Sequence, residues 1–349
     1  MSHNGRPSPR GGHTMTFDEA VTLVRAARTP GDLFGDGQDA VTYRRMARLL
    51  HPDAAPAGRT ATATAVFALL ADLWARHQGR GGPGLRTRRH QYMIGERFAT
   101  GDLANLYRVR YDNRDALLKL PRQPAQNDLL EREAVALDTL RRLGDPQHRA
   151  YAPELVESFR HEDPDTGVRR TANVLAHSPG LVPLTEVRRA YPGGLDPRDA
   201  AWIWRRLLVA LGWAHRAGVV HGAVLPEHVL IEPEQHGVVL VDWCYSVGGD
   251  GGSVPALVAR YRDWYPPEVG RRGPATPATD IHLASRCVDW LIGSRADAAL
   301  TRFIRGCTLA NPRRRPQDAW RLLGELDELL ERRYGPRRFR RLLLPPTPA

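Results

Sequence analysis

The chain has few of the residues that build metal or disulfide frameworks. Of its 349 residues only three are cysteines, Cys244, Cys287 and Cys307, and no two of them form a Cys-x-x-Cys pair. Neither a zinc site nor a disulfide framework is therefore expected. No apolar run approaches the roughly 18 residues of a membrane span, and the segment Met1 to Gly12 lacks the apolar core of a secretory signal. We therefore expect a cytoplasmic protein with no membrane partner.

Aromatic residues are also scarce, at 7% of the chain, although charge is not. Lys and Arg number 50 against 39 Asp and Glu, which gives a net charge of +11. Such an excess suits nucleic acid, an acidic protein or an anionic membrane surface. Because the arginines are dispersed and aromatics are few, the pattern does not favour a nucleic-acid partner. Solvated surface arginine is the simpler interpretation.

Composition predicts globular structure over most of the chain, since 42% of residues are hydrophobic and the length suits two or three domains. Patterning divides the chain into a disordered start, a small helical unit, a linker rich in Gly and Arg, a large unit and a basic, proline-containing tail, at residues 1–14, 15–77, 78–90, 91–335 and 336–349.

Three helices are predicted in the small unit. Thr16 followed by Glu19 forms a capping box that opens a helix ending near Ala27. The second helix runs over 39–50 and the third over about 63–76, where apolar residues recur at helical spacing.

The connection between the second and third helices carries His51-Pro52-Asp53. A bare tripeptide is a weak signal, but its context strengthens it. With the preceding segment 43–50 and the later Phe67 and Trp74, it resembles the loop and flanking helices of a J domain. The helix-one region departs from the usual J pattern.

The J-domain resemblance implies a partner, a DnaK-type heat-shock chaperone whose ATP hydrolysis is stimulated. In that family the His-Pro-Asp loop is essential and the basic face of helix two docks on an acidic surface. Here Arg44, Arg45 and Arg48 would supply that face. The alternative is a helical hairpin whose first helix is ended by Pro52 and whose arginines are simply solvated.

The large unit has strands, a helix, more strands and then a long helical half. Its segment 221–231 resembles the catalytic loop of protein kinases, written H-R-D-L-x-x-x-N in outline. Ala223 stands where the family has the catalytic Asp, and His228 stands where it has the metal-binding Asn. The resemblance implies an α+β protein in which a small all-α J-like domain precedes a two-lobed kinase-like fold without ordinary kinase chemistry.

The segment 98–106 matches the phosphate-covering loop of kinases, G-x-G-x-x-G-x-V, but only Gly101 is retained. Ala99 and Ala104 replace the outer glycines, which constrains the approach of backbone N–H groups to phosphates. The resemblance therefore implies weakened phosphate binding, and the alternative is a plain β-hairpin.

Lys119 matches the family lysine that contacts phosphates and pairs with a helix carboxylate. Its predicted partner is Glu133, because Leu137 and Leu140 follow it along the apolar face; Glu131 is the competitor. Such a pair can also be retained for structure alone.

Two further segments match the nucleotide site of kinases. Ala176 and His177 would offer backbone groups to an adenine after the gatekeeper Leu175, although a strand ending in a Pro-Gly turn is the alternative. Asp242 matches the metal-binding Asp of D-F-G and could hold one Mg²⁺, so weak binding of ATP and Mg²⁺ is implied.

Three scaffold residues of the family are retained. Glu268 matches the Glu of A-P-E, Arg315 its pairing Arg, and Asp280 the helix Asp that braces the catalytic loop. They predict an intact fold.

The pattern as a whole favours a J-domain co-chaperone fused to a pseudokinase that binds an unidentified protein client or regulator. No catalytic residue is assigned, because Ala223 cannot act as a base. Two alternatives stay open. One is an atypical ATP-dependent transferase or weakly active Ser/Thr kinase, and the other is a scaffold that binds no nucleotide.

Overall fold

A computed structural model of the chain describes residues 15–27, 30–34, 39–77, 84–162, 167–249 and 251–344. These residues form two compact units. The first comprises the residues up to Arg97 together with Tyr107–Arg114, and the second comprises Phe98–Leu106 together with the residues from Asp115 onward. This division lies further along the chain than the predicted linker at 78–90. The segment 1–14, predicted to be disordered, lies outside the described residues.

The first unit contains the three predicted helices, α1 (Phe17–Ala26), α2 (Asp39–Leu50) and α3 (Thr60–His77). The predicted capping box is confirmed: the Glu19 N–H donates to Thr16 Oγ1 at 3.3 Å, and the Thr16 N–H donates to the Glu19 carboxylate at 2.8 Å. Helix α3 begins before the apolar stripe does, because its opening Ala and Thr residues are compatible with helix without adding to that stripe.

Apolar side chains from all three helices pack into a core of their own, which includes Ala20, Val24, Phe34, Met46, Leu50, Val66, Leu70 and Leu73. The Tyr43 ring stacks on Trp74 with centroids 4.8 Å apart. A short 3₁₀ turn, Pro52–Ala54, joins α2 to the segment before α3. The helical core therefore fixes the ends between which this turn lies.

Strands follow the helices, β1 (Gly84–Arg86), β2 (Gln91–Thr100) and β3 (Ala104–Tyr111). Strand β1 pairs antiparallel with β2, and Leu85 lies opposite Tyr92. The last part of the predicted linker 78–90 is therefore ordered, because it forms a strand ladder, while residues 78–83 lie outside the described residues.

The second unit is built from further strands and helices. Its strands are β4 (Arg114–Pro121), β5 (Leu155–Glu162), β6 (Arg169–Ala176), β7 (Val182–Pro183), β8 (Val219–Val220), β9 (Val229–Glu232), β10 (Gly237–Leu240) and β11 (Val247–Gly248). Its helices are α4 (Asn127–Leu143), α5 (Leu184–Ala190), α6 (Pro197–Arg216), α7 (Pro267–Gly270), α8 (Pro277–Ile292), α9 (Ala298–Cys307) and α10 (Ala319–Tyr334).

Five antiparallel strand pairings position the site. Strand β6 pairs with β4 on one side and β5 on the other, which places Lys119 opposite Asn173. Strand β9 lies between β7 and β10, and β8 pairs with β11. The short sheets carry the loop 221–228 and the segment after β10 that holds Asp242.

The helical half is organised around α6, which packs against α8 and α10. Asp196 caps its start by accepting the Arg198 N–H at 2.8 Å, and Pro197 occupies the first turn, where a proline is tolerated. Its side chains Trp204, Leu207 and Leu211 are fully buried. The described helices include none long and apolar enough to cross a membrane. The predicted tail 336–349 is described as far as Leu344.

Candidate functional site

Lys119 lies at the centre of the candidate site, on strand β4, with only 5% of its surface exposed. Its Nζ lies 2.7 Å from Glu133 Oε1, 2.6 Å from Asp242 Oδ1 and 3.2 Å from Cys244 Sγ. An ammonium has three N–H donors, so all of them have acceptors within the protein. Burial alone would lower the pKa of Lys119, but Asp242, Cys244 and Glu133 raise it well above its usual value. Lys119 is therefore a fixed internal cation.

Glu133 is the helix carboxylate that pairs with Lys119, as the sequence predicted. It is fully buried on α4, and its second oxygen accepts from Asn173 Nδ2 at 3.0 Å. The competitor, Glu131, is partly exposed and pairs with Arg160 on β5 at 2.9 Å. The two carboxylates differ in role because residues two apart on a helix face different directions.

Asp242 is held by two partners. Oδ1 accepts from Lys119, and Oδ2 lies 3.2 Å from His228 Nε2. Its backbone is left-handed, with φ +66°, a conformation uncommon for a residue other than glycine. Burial would raise the pKa of this carboxyl, but Lys119 and His228 together hold it well below its usual range. Asp242 is therefore an anion whose two oxygens each face a protein donor.

His228 has an acceptor at both ring nitrogens. Nδ1 lies 2.8 Å from the Ala223 carbonyl oxygen, and Nε2 faces the Asp242 carboxylate. His228 therefore contacts Asp242 at the carboxylate oxygen opposite the one that Lys119 binds.

The loop between β8 and β9 has no acid at its catalytic position. Ala223 is fully buried, and its N–H donates to His221 Nδ1 at 3.3 Å. Leu225, where kinases carry a lysine near the transferred phosphate, is fully buried as well. An alanine methyl can neither orient nor deprotonate a hydroxyl, so this loop provides no general base at that position.

The loop that would cover phosphates is a tight hairpin. The Gly101 N–H donates to the Ala104 carbonyl at 2.8 Å, so this N–H is not available to an anion. Leu103 and Ala104 are buried in the core of the second unit. Asp102 adds negative charge here: it contributes, after burial, to raising the pKa of Tyr265 to about 12. The loop therefore disfavours bound phosphates.

The predicted adenine-binding segment is partly engaged within the protein. The Ala176 N–H donates to the Glu154 carbonyl at 2.9 Å, and Ala176 lies opposite Ala116 in the sheet. The ring of His177 packs edge-on against Phe98, with centroids 5.4 Å apart. The Ala176 donor would have to exchange partners to bind a base.

One cluster has the ligand types of a metal site. Oxygens of Glu133 and Asp242 and the sulfur of Cys244 lie within 4.8 Å of one another. The ammonium of Lys119 contacts all three, and burial raises the pKa of the Cys244 thiol well above its usual value. Since Lys119 supplies the cation, and since His228 holds the remaining oxygen of Asp242, these residues as arranged do not fit Mg²⁺ carrying ATP.

The predicted scaffold contacts are present. Asp280 accepts from the backbone N–H groups of His221 at 2.7 Å and Gly222 at 2.8 Å, and it braces the altered loop. Arg315 binds Glu268 through two nitrogens, at 2.7 and 2.6 Å, with its side chain fully buried. Both contacts agree with the sequence prediction.

Comparison with known proteins supports the architecture. No protein-family model matches the chain. Among solved structures, it is similar to the kinase domain of BubR1, with a TM-score of 0.56 and 13% identity over 73% of this chain and 85% of that chain. The chain has a protein-kinase-like fold. This likeness shows the fold alone and does not test the J-domain resemblance of residues 15–77, which stays a prediction.

Sequence reasoning missed three features of the kinase-like site. Cys244 had no recognised role, although its sulfur is the third acceptor of Lys119. Asp102 was not considered as a charge in the phosphate loop. The third feature could have been read from the sequence: Lys119 is the only lysine in the chain, and every other residue counted as Lys or Arg is an arginine. A compact, three-donor ammonium is what its three acceptors require.

Proposed function

We propose that this chain is a catalytically inert kinase-like protein that binds a protein client or regulator, while its N-terminal helical domain recruits a DnaK-type heat-shock chaperone and stimulates its ATPase. The absence of kinase activity is inferred from the closed cluster of Lys119, Asp242 and His228. Both oxygens of Asp242 and all three donors of Lys119 have partners within the protein.

The missing base supports the same conclusion. General-base assistance is typically worth about 10²–10⁴-fold in rate. Phosphoryl transfer also depends on metal ions that neutralise developing charge. Ala223 removes the first contribution, and His228 offers an imidazole, which is a poor ligand for Mg²⁺. Weak binding of ATP and Mg²⁺ would require Asp242 to leave His228 or Lys119.

The helical domain supports the chaperone part. His51 and Asp53 are exposed at the turn after α2, with 51% and 92% of their side chains accessible. Arg44, Arg45 and Arg48 are exposed on α2 at helical positions that share one side. A basic helix face beside an exposed polar loop suits an acidic protein surface. Because both activities are on one chain, the chaperone would be concentrated near the client.

The decisive experiment measures ATP turnover by a purified DnaK-type chaperone with the full chain present. We expect stimulation by the wild type and none by His51→Gln, because the proposed activity depends on the His-Pro-Asp loop. His51 lies in an exposed loop, so its replacement should leave the helical core intact. Unchanged turnover with the wild-type chain, or equal stimulation by His51→Gln, would exclude the co-chaperone function.

A matched pair of triple variants tests the basic face. Replacement of Arg44, Arg45 and Arg48 by alanine should weaken stimulation, and should do so more at low salt, since exposed charges are screened by salt. The control replaces Arg25, Arg88 and Arg89, which are exposed in the same unit and carry the same charge. Equal losses in the two variants would show that only net charge matters.

A second candidate function is an atypical ATP-dependent transferase. The retained Lys119, Glu133 and Asp242 favour it, because these residues are the ATP-binding set of the fold they resemble. The test incubates the chain with α- or γ-labelled ATP. Label on protein that disappears in Asp242→Asn would establish this function and displace the inert one, and no label from either nucleotide would exclude it. Absence of a thermal shift with ATP and Mg²⁺ supports a scaffold that binds no nucleotide.

A further inference from the structure

A large cavity lies in the second unit, apart from the cluster around Lys119. It has a volume of about 780 Å³ and is bounded by α6, α10 and the segment that follows α10. Its lining includes none of the residues predicted to bind nucleotide. Cavities that hold small molecules typically measure about 300–1,000 Å³. This cavity has the size of a small-molecule site.

The cavity wall is strongly basic. Five arginines line it against two carboxylates, Asp327 and Glu331; the arginines are Arg198, Arg205, Arg337, Arg338 and Arg340. Their planar guanidinium groups match phosphate and carboxylate oxygens two at a time. The lining therefore has the chemistry of an anion-binding wall.

Some of these arginines are neutralised and others are not. Arg198 pairs with Asp196, Arg205 pairs with Asp327, and Arg340 lies 3.3 Å from Asp199. Arg337 and Arg338 are exposed and have no carboxylate partner within the described part of the chain. Burial lowers the pKa of Arg205, and Arg337 adds repulsion against the attraction of Asp327. The cavity lining therefore contains more arginine side chains than the neighbouring carboxylates neutralise.

Aromatic contacts position one wall of the cavity. The ring of Trp202 on α6 stacks on His236 with centroids 4.1 Å apart, and Phe339 packs on His236 at 4.4 Å. His236 Nε2 lies 2.5 Å from the Arg340 carbonyl oxygen, which a neutral ring can satisfy as a donor. These contacts hold the segment that carries Arg337 and Arg338 against α6.

We propose that this cavity binds a small polyanion with at least two phosphate or carboxylate groups. The volume selects a small molecule, and the unpaired Arg337 and Arg338 supply the charge that selects an anion. This site is independent of the proposed co-chaperone activity and of the cluster around Lys119.

The experiment titrates the full chain with inorganic pyrophosphate and, separately, with citrate by calorimetry at low and physiological salt. Binding of one and not the other identifies phosphate or carboxylate as the recognised group. The variant Arg337→Ala/Arg338→Ala should lower the affinity about tenfold or more, since hydrogen bonds to charged groups are strong. The control, Arg313→Ala/Arg314→Ala, removes two exposed arginines outside the cavity lining and should keep the affinity of the wild type.

Three results would overturn the proposal. One is the absence of heat with both anions. Another is an equal loss in the two double variants, which would indicate attraction to net charge alone. The third is binding of an acidic peptide in place of either small anion, which would assign the surface to a protein partner.

Discussion

His228 Nε2 lies 3.2 Å from Asp242 Oδ2, and its other ring nitrogen lies 2.8 Å from the Ala223 carbonyl oxygen. His228 stands where kinases have a metal-binding asparagine, and Asp242 stands where they have a metal-binding aspartate. In this chain the two side chains contact each other. Lys119 binds the other oxygen of this carboxylate, at 2.6 Å. A substitution that looks like a loss in the sequence is therefore a side-chain contact in the folded protein.

Removing the single lysine should destabilise the kinase-like unit. Lys119→Met leaves Glu133 fully buried without its cation, and breaking a buried ion pair costs about 3–5 kcal/mol. The free energy of unfolding measures this loss. Lys119→Met/Glu133→Gln should recover part of it. If Lys119→Met is as stable as the wild type and loses only an ATP-dependent thermal shift, the role of Lys119 is to bind the nucleotide and not to stabilise the fold.

The same lysine should resist amine-directed reagents. Lys119 is the only lysine, is 5% exposed and has its pKa raised, so in the folded state it is both shielded and protonated. A limiting pulse of an amine-reactive ester should therefore modify the α-amino group and spare Lys119, while the unfolded chain is modified at both. Mass spectrometry counts the adducts. Rapid modification of the folded chain at Lys119 would contradict the closed cluster.

The Arg315–Glu268 pair should contribute more stability than exposed arginines do. Arg315→Ala leaves a buried carboxylate without its two donors, which costs about 3–5 kcal/mol. The neighbouring Arg314 is exposed, and Arg314→Ala should change the free energy of unfolding by only about 0.5 kcal/mol. Denaturant titration of both variants gives the comparison, and similar values would show that the burial of this pair has no energetic consequence.

Glycine should be required at position 222 for a steric reason. Gly222 has φ +76°, and a Cβ there would lie 2.5 Å from the Tyr245 carbonyl oxygen. Gly218 has the same φ, with no atom within 4 Å of a Cβ. Gly218→Ala should cost about 1–2 kcal/mol, the strain of a left-handed residue. Gly222→Ala should cost clearly more, because it adds the backbone clash, and equal losses in unfolding free energy would exclude that contact.

Acid should weaken the kinase-like unit through His221. Burial lowers the pKa of His221 to about 4, despite the nearby Asp280 and with added repulsion from His228. Its usual value is about 6.5, so the unfolded state binds more protons between these values and stability falls as pH falls through that window. From pH 7 to pH 5 the loss is about 2 kcal/mol for this group.

The comparison variant for this effect is His221→Gln. It removes the titration but leaves other groups, including the buried His282, whose pKa burial lowers to about 4. The variant should be less stable at pH 7, and its unfolding free energy should decline less on going to pH 5. Parallel declines in wild type and variant would show that His221 does not carry the pH dependence.

Much of the fold and part of the site follow from the sequence. Helix boundaries such as Asp39–Leu50 were predictable because caps, proline and apolar periodicity act within a few residues of each other. The pairing of Lys119 with Glu133, and of Arg315 with Glu268, was predictable because the order of motifs carries the geometry of a known fold. The loss of the base at Ala223 is also visible in the sequence, because it concerns the identity of one residue.

Only the tertiary structure decided how the altered residues are used. Nothing local to His228 indicates that it faces both Ala223 and Asp242, since the contact depends on where β9 and β10 place their ends. Cys244 acquired a role because chain segments far apart in sequence converge on Lys119, and Asp102 did so because its hairpin lies close enough to act on Tyr265. The basic cavity likewise exists because the segment after α10 folds back onto α6. The sequence alone determined that the catalytic base is absent. The tertiary structure determined which partners the remaining charged side chains bind, because those partners depend on distance in space.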